Sequence, residues 1–400
     1  MSSLSSNAGS SAGPRLTAAI IAAGFICFLN MWCTQAILPV LAAALHVSEG
    51  ATGYTVTAPL LATAAMAPVA GILSDRFGRK RFIRGAALLL VIPTLLAACA
   101  PNLIFLVVCR FAQGLILPFI FTVTIAYIGE ELDHAPALRL AGLYTSGSIM
   151  GGFSGRLLTG LITSWLDWRA AFIMIGLLTL AVAVFISTAL PRERKFRPTT
   201  RISSTLRAFP MHLSNPQLLA TYAVGIGVLF CLVCVFTFIN FRLAVAPYHL
   251  GPAALGAIFV VYLGGVIINP LTARLAARLG RRIMLGISTL AVLAGLALTL
   301  AAPLWLICLG LVVFCCGIFA QQGLAIGFIG QAARGAKSTA AGLYVTFYYI
   351  GGSFGGSLPA SAWHSVGWAG CVAFAAFMQI IIVGLALPFW RLPATQAAAL

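Results

Sequence analysis

Acidic residues are scarce in this chain, and its apolar segments hold none. Seven of its 400 residues are Asp or Glu against 24 Lys and Arg, and charged residues of both signs make up 8%. Soluble domains carry roughly a quarter charged residues, so this scarcity excludes a water-soluble fold. A hydrophobic content of 61% and a mean hydropathy of +1.05 put the chain in a bilayer. All seven carboxylates (Glu49, Asp75, Glu130, Glu131, Asp133, Asp167, Glu193) fall at the ends of apolar runs or between them, as do His46, His134, His212, His249 and His364. A proton-coupled exporter of cations ordinarily needs a buried acid to exchange a proton for its cargo. Its absence tilts the cargo toward neutral or anionic solutes. Also missing are a phosphate-binding loop, a cluster of metal ligands and a nucleophile–base pair at helical spacing, so neither an enzyme nor a cofactor or metal site is expected.

What the chain does have is thiols, basic clusters and long apolar runs. Its ten cysteines all lie in apolar runs, where a thiol packs as a small hydrophobe. Cys231 and Cys234 form a C-x-x-C with no nearby His or second pair, which again reads as packing. A formal charge of +17 would suggest nucleic acid in a soluble chain. Here the basic residues sit in short clusters between apolar segments, which is orientation information, and no nucleic-acid partner is expected.

Runs of about twenty apolar residues, the length that crosses a bilayer, recur at 17–42, 54–74, 83–100, 103–128, 139–165, 169–189, 218–243, 254–275, 283–301, 304–328, 340–362 and 367–389. The expectation is an all-α membrane protein of twelve transmembrane helices. Residues 1–15 read as a disordered cytosolic tail, 16–190 as an N-terminal six-helix bundle, 191–217 as a basic cytoplasmic linker, 218–390 as a C-terminal six-helix bundle and 391–400 as a second cytosolic tail. Placing both termini inside puts twenty of the 24 Lys and Arg on the cytoplasmic side. The other four are Arg110, Arg156, Arg169 and Arg242, of which the last two fall near outer helix ends.

The halves repeat. Ala141-Gly-Leu-Tyr144 with Gly151, Gly152 and Gly155 recurs two hundred residues on as Ala341-Gly-Leu-Tyr344 with Gly351, Gly352 and Gly355. Trp168 and Trp368 keep that offset, and His46 and Gly53 are echoed by His249 and Gly256. Gly147, Gly151 and Gly155 lie four apart on one helical face, which suits either a sliding seam or plain tight packing.

A charged turn organises the N-terminal half. In Gly71-Ile-Leu-Ser-Asp75-Arg76-Phe-Gly78-Arg79-Lys80-Arg81, Gly71 is read as the end of an apolar helix and Gly78 as the point of reversal. Asp75 amid cations suggests a gate that holds Arg76, Arg79 or a facing helix in one state and releases it in another; the bland alternative is topology alone. Glu130, Glu131 and Asp133 end the fourth helix at the same surface and read either as a solvated cap or as partners of Arg139 or the basic loops. Arg110 lies about 10 Å from the outer start of that helix at 1.5 Å per residue, with Gln113 on the same face. Arg156 comes out at a similar height on the fifth, while the matching position of the repeat is Gly356. An arginine at such depth needs protein, water or solute as partner. Arg110 is the first candidate for substrate contact, and Arg156 either joins it or snorkels outward. Asn30, Gln35, Gln113, Asn240, Asn269, Gln321, Gln322, Tyr344 and Tyr348, together with Trp32 and Phe236, are further candidates for a mixed cavity, each as apt to bridge helices as to touch solute.

The run at 71–81, Leu106-x-x-x-Arg110-x-x-Gln113-Gly114, and Gly147-Ser-Ile-Met-Gly151-Gly152 resemble motifs of the major facilitator superfamily, with Ser148 where its antiporters carry proline. The resemblance covers residues 16–390. Leu143-Tyr144 to Arg156, with Leu190-Pro191 and Phe196-Arg197-Pro198, looks most like a bacterial inner-membrane branch of sugar or drug efflux permeases of the drug:proton antiporter type. That likeness implies two pseudo-symmetric six-helix bundles rocking about a central cavity. It also implies a monomeric, multi-pass protein of the bacterial inner membrane that exports a small organic solute in exchange for protons. Uptake of an anionic solute by the same fold is the alternative, and a membrane sensor without transport is a third reading.

Overall fold

The computed structural model describes residues 13–193, 209–333 and 336–390. The expected tails at 1–12 and 391–400 and most of the basic linker lie outside the described residues. Among the described residues twelve long helices follow in order: α1 (Pro14–Ala44), α2 (Glu49–Phe77), α3 (Arg79–Ala98), α4 (Leu103–Glu131), α5 (His134–Trp165), α6 (Trp168–Ala189), α7 (Pro216–Ala244), α8 (Pro252–Leu279), α9 (Arg281–Leu298), α10 (Leu304–Ala332), α11 (Lys337–Gly355) and α12 (Trp368–Phe389). They form two pseudo-symmetric six-helix bundles, α1–α6 and α7–α12, and no strand occurs among the described residues. Ten are long and apolar enough to cross a membrane. The other two, α5 and α11, carry the Gly-, Ser- and Thr-rich repeat and lie at the seam between the halves.

Local chemistry sets the boundaries. Asn102 and Asp167 accept hydrogen bonds from Phe105 N (2.9 Å) and Ala170 N (2.6 Å), capping α4 and α6. Pro14, Pro216 and Pro252 stand in the first turns of their helices, where a missing N–H costs nothing. Gly78 (φ +100°) and Gly280 (φ +86°) make the reversals from α2 to α3 and from α8 to α9, a backbone shape that favours glycine. The expectation that Gly71 ends its helix is corrected: α2 runs on through Asp75 and Arg76 to Phe77. One glycine is a weak stop when apolar residues continue past it. His46 (φ 52°) and His249 (φ 48°) repeat a left-handed turn, so the duplication extends to backbone strain.

Several helices are broken by design. A 3-10 turn at Gln35–Ile37 interrupts α1, another at Ile258–Val261 interrupts α8, and Leu117–Pro118 divides α4. Irregular backbone at membrane depth survives only where protein or a cavity satisfies it. Ile104, Val108, Leu290 and Phe377 point outward, an apolar exterior suited to lipid tails. α7 is the most enclosed span, with 89% of its most apolar window buried. It is the axis of the second bundle as α1 is of the first. The end of the molecule carrying Gly78 and Gly280 holds Arg76, Arg79, Lys80, Arg81, Arg278, Arg281 and Arg282 and is called the basic end; the opposite is the far end.

Candidate functional site

Glycines decide how closely the helices approach. A Cβ at Gly147, Gly151 or Gly155 would lie closer than 3.0 Å to the carbonyls of Ile21, Phe25 and Leu29 on α1. Gly351 and Gly355 on α11 stand in the same relation to Ile226 and Phe230 on α7. These stripes therefore lock helices within each half. The seam between halves uses other glycines: Gly53 against the Gly356 carbonyl, Gly160 against that of Pro252, and Gly256 against that of Arg156, each with no room for a Cβ. The repeat had already paired Gly53 with Gly256, but nothing in the sequence said that they face the opposite half. Four hydrogen bonds also tie the halves at the far end. Thr57 Oγ1 donates to Ser353 O (2.8 Å), Asn240 Nδ2 to Gln35 O (2.7 Å), Ala253 N to Ser164 Oγ (2.9 Å) and Trp363 Nε1 to Glu49.

Below this closed end lies a cavity of about 330 Å³ between the halves. Its walls include Trp32, Phe259, Tyr262, Gln322 and Tyr348, with Arg156 among them. Asn269 and Gly323 border both this cavity and a wider space of about 1190 Å³ toward the basic end, which is lined by Arg281 and Arg282. The cavity is thus sealed at the far end, and the space beside it toward the basic end is lined by the second half alone.

Arg156 is 1% exposed. Its Nε donates to Gln35 Oε1 (2.9 Å) and its Nη1 to Gly152 O (2.9 Å), while Nη2 has no partner. The guanidinium carbon lies 4.6 Å from the Trp32 ring centroid, 4.4 Å from Phe259 and 4.9 Å from Tyr262. Each desolvated cation–π contact is worth about 2 kcal/mol, so the aromatic faces offset part of the cost of a buried charge. Both 3-10 turns serve this residue: one presents Gln35, and the other sets Phe259 and Tyr262 on the guanidinium. Snorkelling to the outer surface is excluded by this burial. Phe259 and Tyr262 went unremarked in the sequence because their role depends on the break in α8.

Arg110 takes a different place from the one its depth suggested. It is fully buried and does not line the cavity in this conformation. Its Nη1 and Nη2 donate to Asn30 O (2.6 Å) and Met31 O (2.5 Å), carbonyls of the last turn before α1 breaks. Helix ends leave such carbonyls unpaired. Its Nε donates to Thr55 O (3.0 Å), which Pro59 four residues later cannot bond. Nη1 also reaches Gln113 Oε1 (2.5 Å), Gln113 Nε2 donates to Thr94 Oγ1 (2.8 Å), and Asn30 joins Thr94 and Thr179. Arg110, Gln113 and Asn30 thus form a polar clamp inside the first bundle. Asn240 acts likewise, supplying the donor that Pro39 denies to Gln35 O. Gln321 bridges Thr289 and Gln379 within the second bundle (3.0 and 2.9 Å). Tyr344 stacks on Tyr348 at 6.0 Å, but only Tyr348 of the pair reaches the cavity. Of the expected contact residues, Trp32, Arg156, Asn269, Gln322 and Tyr348 line it, and Gln35 stands behind Arg156.

At the basic end, Asp75 near the end of α2 pairs across the Gly78 reversal with Arg79, the first residue of α3. Glu130 of α4 grips the Nε–Nη2 edge of the same guanidinium, with Nη2–Oε1 at 2.5 Å and Nε–Oε2 at 3.1 Å, sharing Nη2 with Asp75 while Nη1 donates to Ser74 Oγ (2.5 Å). This two-bond fork ties α3 to α4, so Glu130 is a partner and not a solvated cap. Glu193, at the start of the linker, accepts from Lys80 N (2.5 Å) at the first turn of α3. Arg76 lies beside the Phe77 ring at 5.2 Å.

The profile of the Major Facilitator Superfamily matches residues 20–356. The inner membrane transport protein YnfM of Escherichia coli (strain K12) is 35% identical over 370 residues, which span 92% of this chain and 88% of that protein. A shorter stretch of 147 residues, 37% of this chain and 27% of the relative, is 28% identical to the multidrug resistance protein B homolog of Mycobacterium tuberculosis (strain ATCC 25618 / H37Rv). Among solved structures, the nucleoside transporter NupG superposes with a TM-score of 0.78 over 94% of this chain and all of that one, at 13% identity, a likeness of fold alone. On the family match and the 35% identical relative, the chain belongs to the Major Facilitator Superfamily of membrane transporters.

Proposed function

We propose that the protein is a secondary transporter that moves a small organic solute across the bacterial inner membrane by alternating access, here in a state open to the cytoplasm. The observation that carries this reading is the cavity between two duplicated bundles, sealed by glycine-tight contacts at the far end and adjoined toward the basic end by a wider space in the second half. Short cytoplasmic loops collect Lys and Arg, which assigns the basic end, both termini and the linker to the cytoplasm. Export is supported by the stretch shared with the multidrug resistance homolog; the open state would load solute in an exporter and release it in an importer. On this reading Arg156 and Tyr348 contact the solute, Gln35 orients Arg156, and the Asp75–Arg79–Glu130 cluster is the basic-end latch. Arg110, Gln113, Asn30, Asn240, Gln321 and Tyr344 hold the helices that shape the site. The chain acts as a monomer, since one chain encloses the whole cavity.

Proton exchange has no carboxylate in the cavity wall to run through. The carboxylates of the described residues stand at helix ends or in the linker, among them Asp75, Glu130 and Glu193 at the basic end. Uptake of an anionic solute is favoured by one observation, the unpaired cation of Arg156. Flux in inside-out and right-side-out vesicles, with and without an imposed pH gradient, separates the readings. Antiport export predicts solute accumulation in inside-out vesicles that is lost when the gradient is collapsed. Accumulation confined to right-side-out vesicles would establish uptake instead.

A further inference from the structure

We infer that the cavity binds an organic monocarboxylate with a flat apolar body, gripped by the free edge of Arg156. The inference rests on the reading of this cavity as the solute site.

Three buried polar groups near one another lack partners: Arg156 Nη2, Gln35 Nε2 and Tyr262 Oη. All three can donate hydrogen bonds. They are linked, because Gln35 Oε1 holds Arg156 Nε and the Tyr262 ring lies against the guanidinium. A buried donor left unmade costs free energy, and a ligand with two acceptor oxygens in one plane can serve the two that belong to cavity-lining residues, Arg156 Nη2 and Tyr262 Oη. A carboxylate has that shape and matches the guanidinium fork. Charge points the same way. The side chains around Arg156 are aromatic or neutral, and the carboxylates among the described residues stand at helix ends. An anion completes the balance of a buried cation.

The remaining walls set the body of the ligand. Phe28, Phe153, Phe319 and Tyr348 enclose the space, and about 330 Å³ is near the lower end of small-molecule sites. That suits one or two fused rings. A second carboxylate would face largely apolar walls without a cation, hence a monoanion. Arg281 and Arg282 line the adjoining space in the second half and raise the positive potential there.

Binding to the purified full chain in detergent, measured by titration calorimetry with naphthoate, tests this directly. Its neutral amide, naphthamide, its cationic counterpart, naphthylmethylammonium, and acetate serve as comparisons. Naphthoate should bind at least tenfold more tightly than each of the three. Arg156→Gln should reduce naphthoate affinity tenfold or more and leave naphthamide unchanged; Arg156→Lys should fall between, keeping charge and losing the fork. Tyr262→Phe, which removes one hydroxyl, should weaken naphthoate a few-fold and covers the case in which Arg156→Gln does not fold. Equal affinity for naphthoate and naphthamide, no naphthoate binding at millimolar concentration, or a wild-type constant in Arg156→Gln overturns the inference. Loss of anion preference in a protein that still opens alternately at its two ends defeats this inference and spares the transport reading. Naphthoate binding to a protein that never opens at the far end does the reverse.

Discussion

Arg110 Nε donates a 3.0 Å hydrogen bond to the carbonyl of Thr55, the acceptor that Pro59 leaves without its helical partner. The same logic recurs: Asn240 serves Gln35 O, four residues before Pro39, and Thr63 Oγ1 serves Gly114 O (3.1 Å), four before Pro118. In a bilayer, backbone groups freed by proline must find protein partners, and these three side chains are such partners.

Arg110→Gln should therefore destabilise the first bundle. It leaves the Asn30, Met31 and Thr55 carbonyls short of a donor, and a buried polar group left unpaired costs about 1–3 kcal/mol. Thermal unfolding in detergent should show a clear fall in midpoint, with naphthoate affinity of the folded fraction unchanged. Pro59→Ala restores a donor to Thr55 O and should recover about 1 kcal/mol in the Arg110→Gln background. A variant as stable as wild type would remove Arg110 from the clamp.

Closure at the far end depends on Gly53, Gly160, Gly256 and Gly356. Gly53→Val places a branched side chain against the Gly356 backbone, where no flexible group can yield. The variant should insert normally yet favour the far-open state and lose most transport. Labelling of a cysteine placed at Ser353 by an impermeant reagent should speed up several-fold; an unchanged rate would show that the seam is not the gate.

At the basic end, Arg79 is held by Asp75 and by a two-bond fork from Glu130. Both carboxylates are about two-fifths exposed, so each pair is worth only about 0.2–1 kcal/mol. Asp75→Asn should leave insertion and ligand binding intact and slow exchange between states. Glu130→Gln should change the exchange rate more than Asp75→Asn, because it removes two bonds between helices. Stopped-flow ligand exchange reads both rates, and equal rates in wild type and both variants would reduce the cluster to a topology signal.

The architecture was legible because composition, span length and the repeat at Tyr144 and Tyr344 all report the same duplicated bundle. The reversal at Gly78 was legible from glycine amid charge. The roles of the two deep arginines were not. Depth says only that a guanidinium needs partners, and the partners were decided by where helices break. The breaks at Cys33–Ile37 and Ile258–Val261 gave Arg110 its carbonyls and Arg156 its aromatic cage. One local signal was available, since a proline marks the carbonyl four residues earlier as an acceptor in need. Gly71 misled because apolar sequence continues past it. The glycine stripe at Gly147, Gly151 and Gly155 predicted close approach correctly, but spacing alone cannot tell α1 from the opposite half.

Orientation is open to a direct check. An engineered cysteine at Glu193 should react with an impermeant thiol reagent only after the membrane is permeabilised, and one at Ser365 should react in intact cells. Cys99 is exposed, and Cys308 and Cys316 are half-buried, so these three are first replaced by alanine. Reversed labelling would invert the assignment of the basic end.

Alternating access itself is tested most directly by spin-label distances across both ends of one protein. Labels are carried on introduced non-cysteine side chains, one pair at Ser48 and Ser365 for the far end and another at Arg84 and Arg282 for the basic end. The account predicts a short far-end and long basic-end population matching the state described here. A second population with both relations inverted should grow with added solute or in Gly53→Val. A single unchanging distribution at both ends, in every ligand and pH condition and in Gly53→Val, would contradict it.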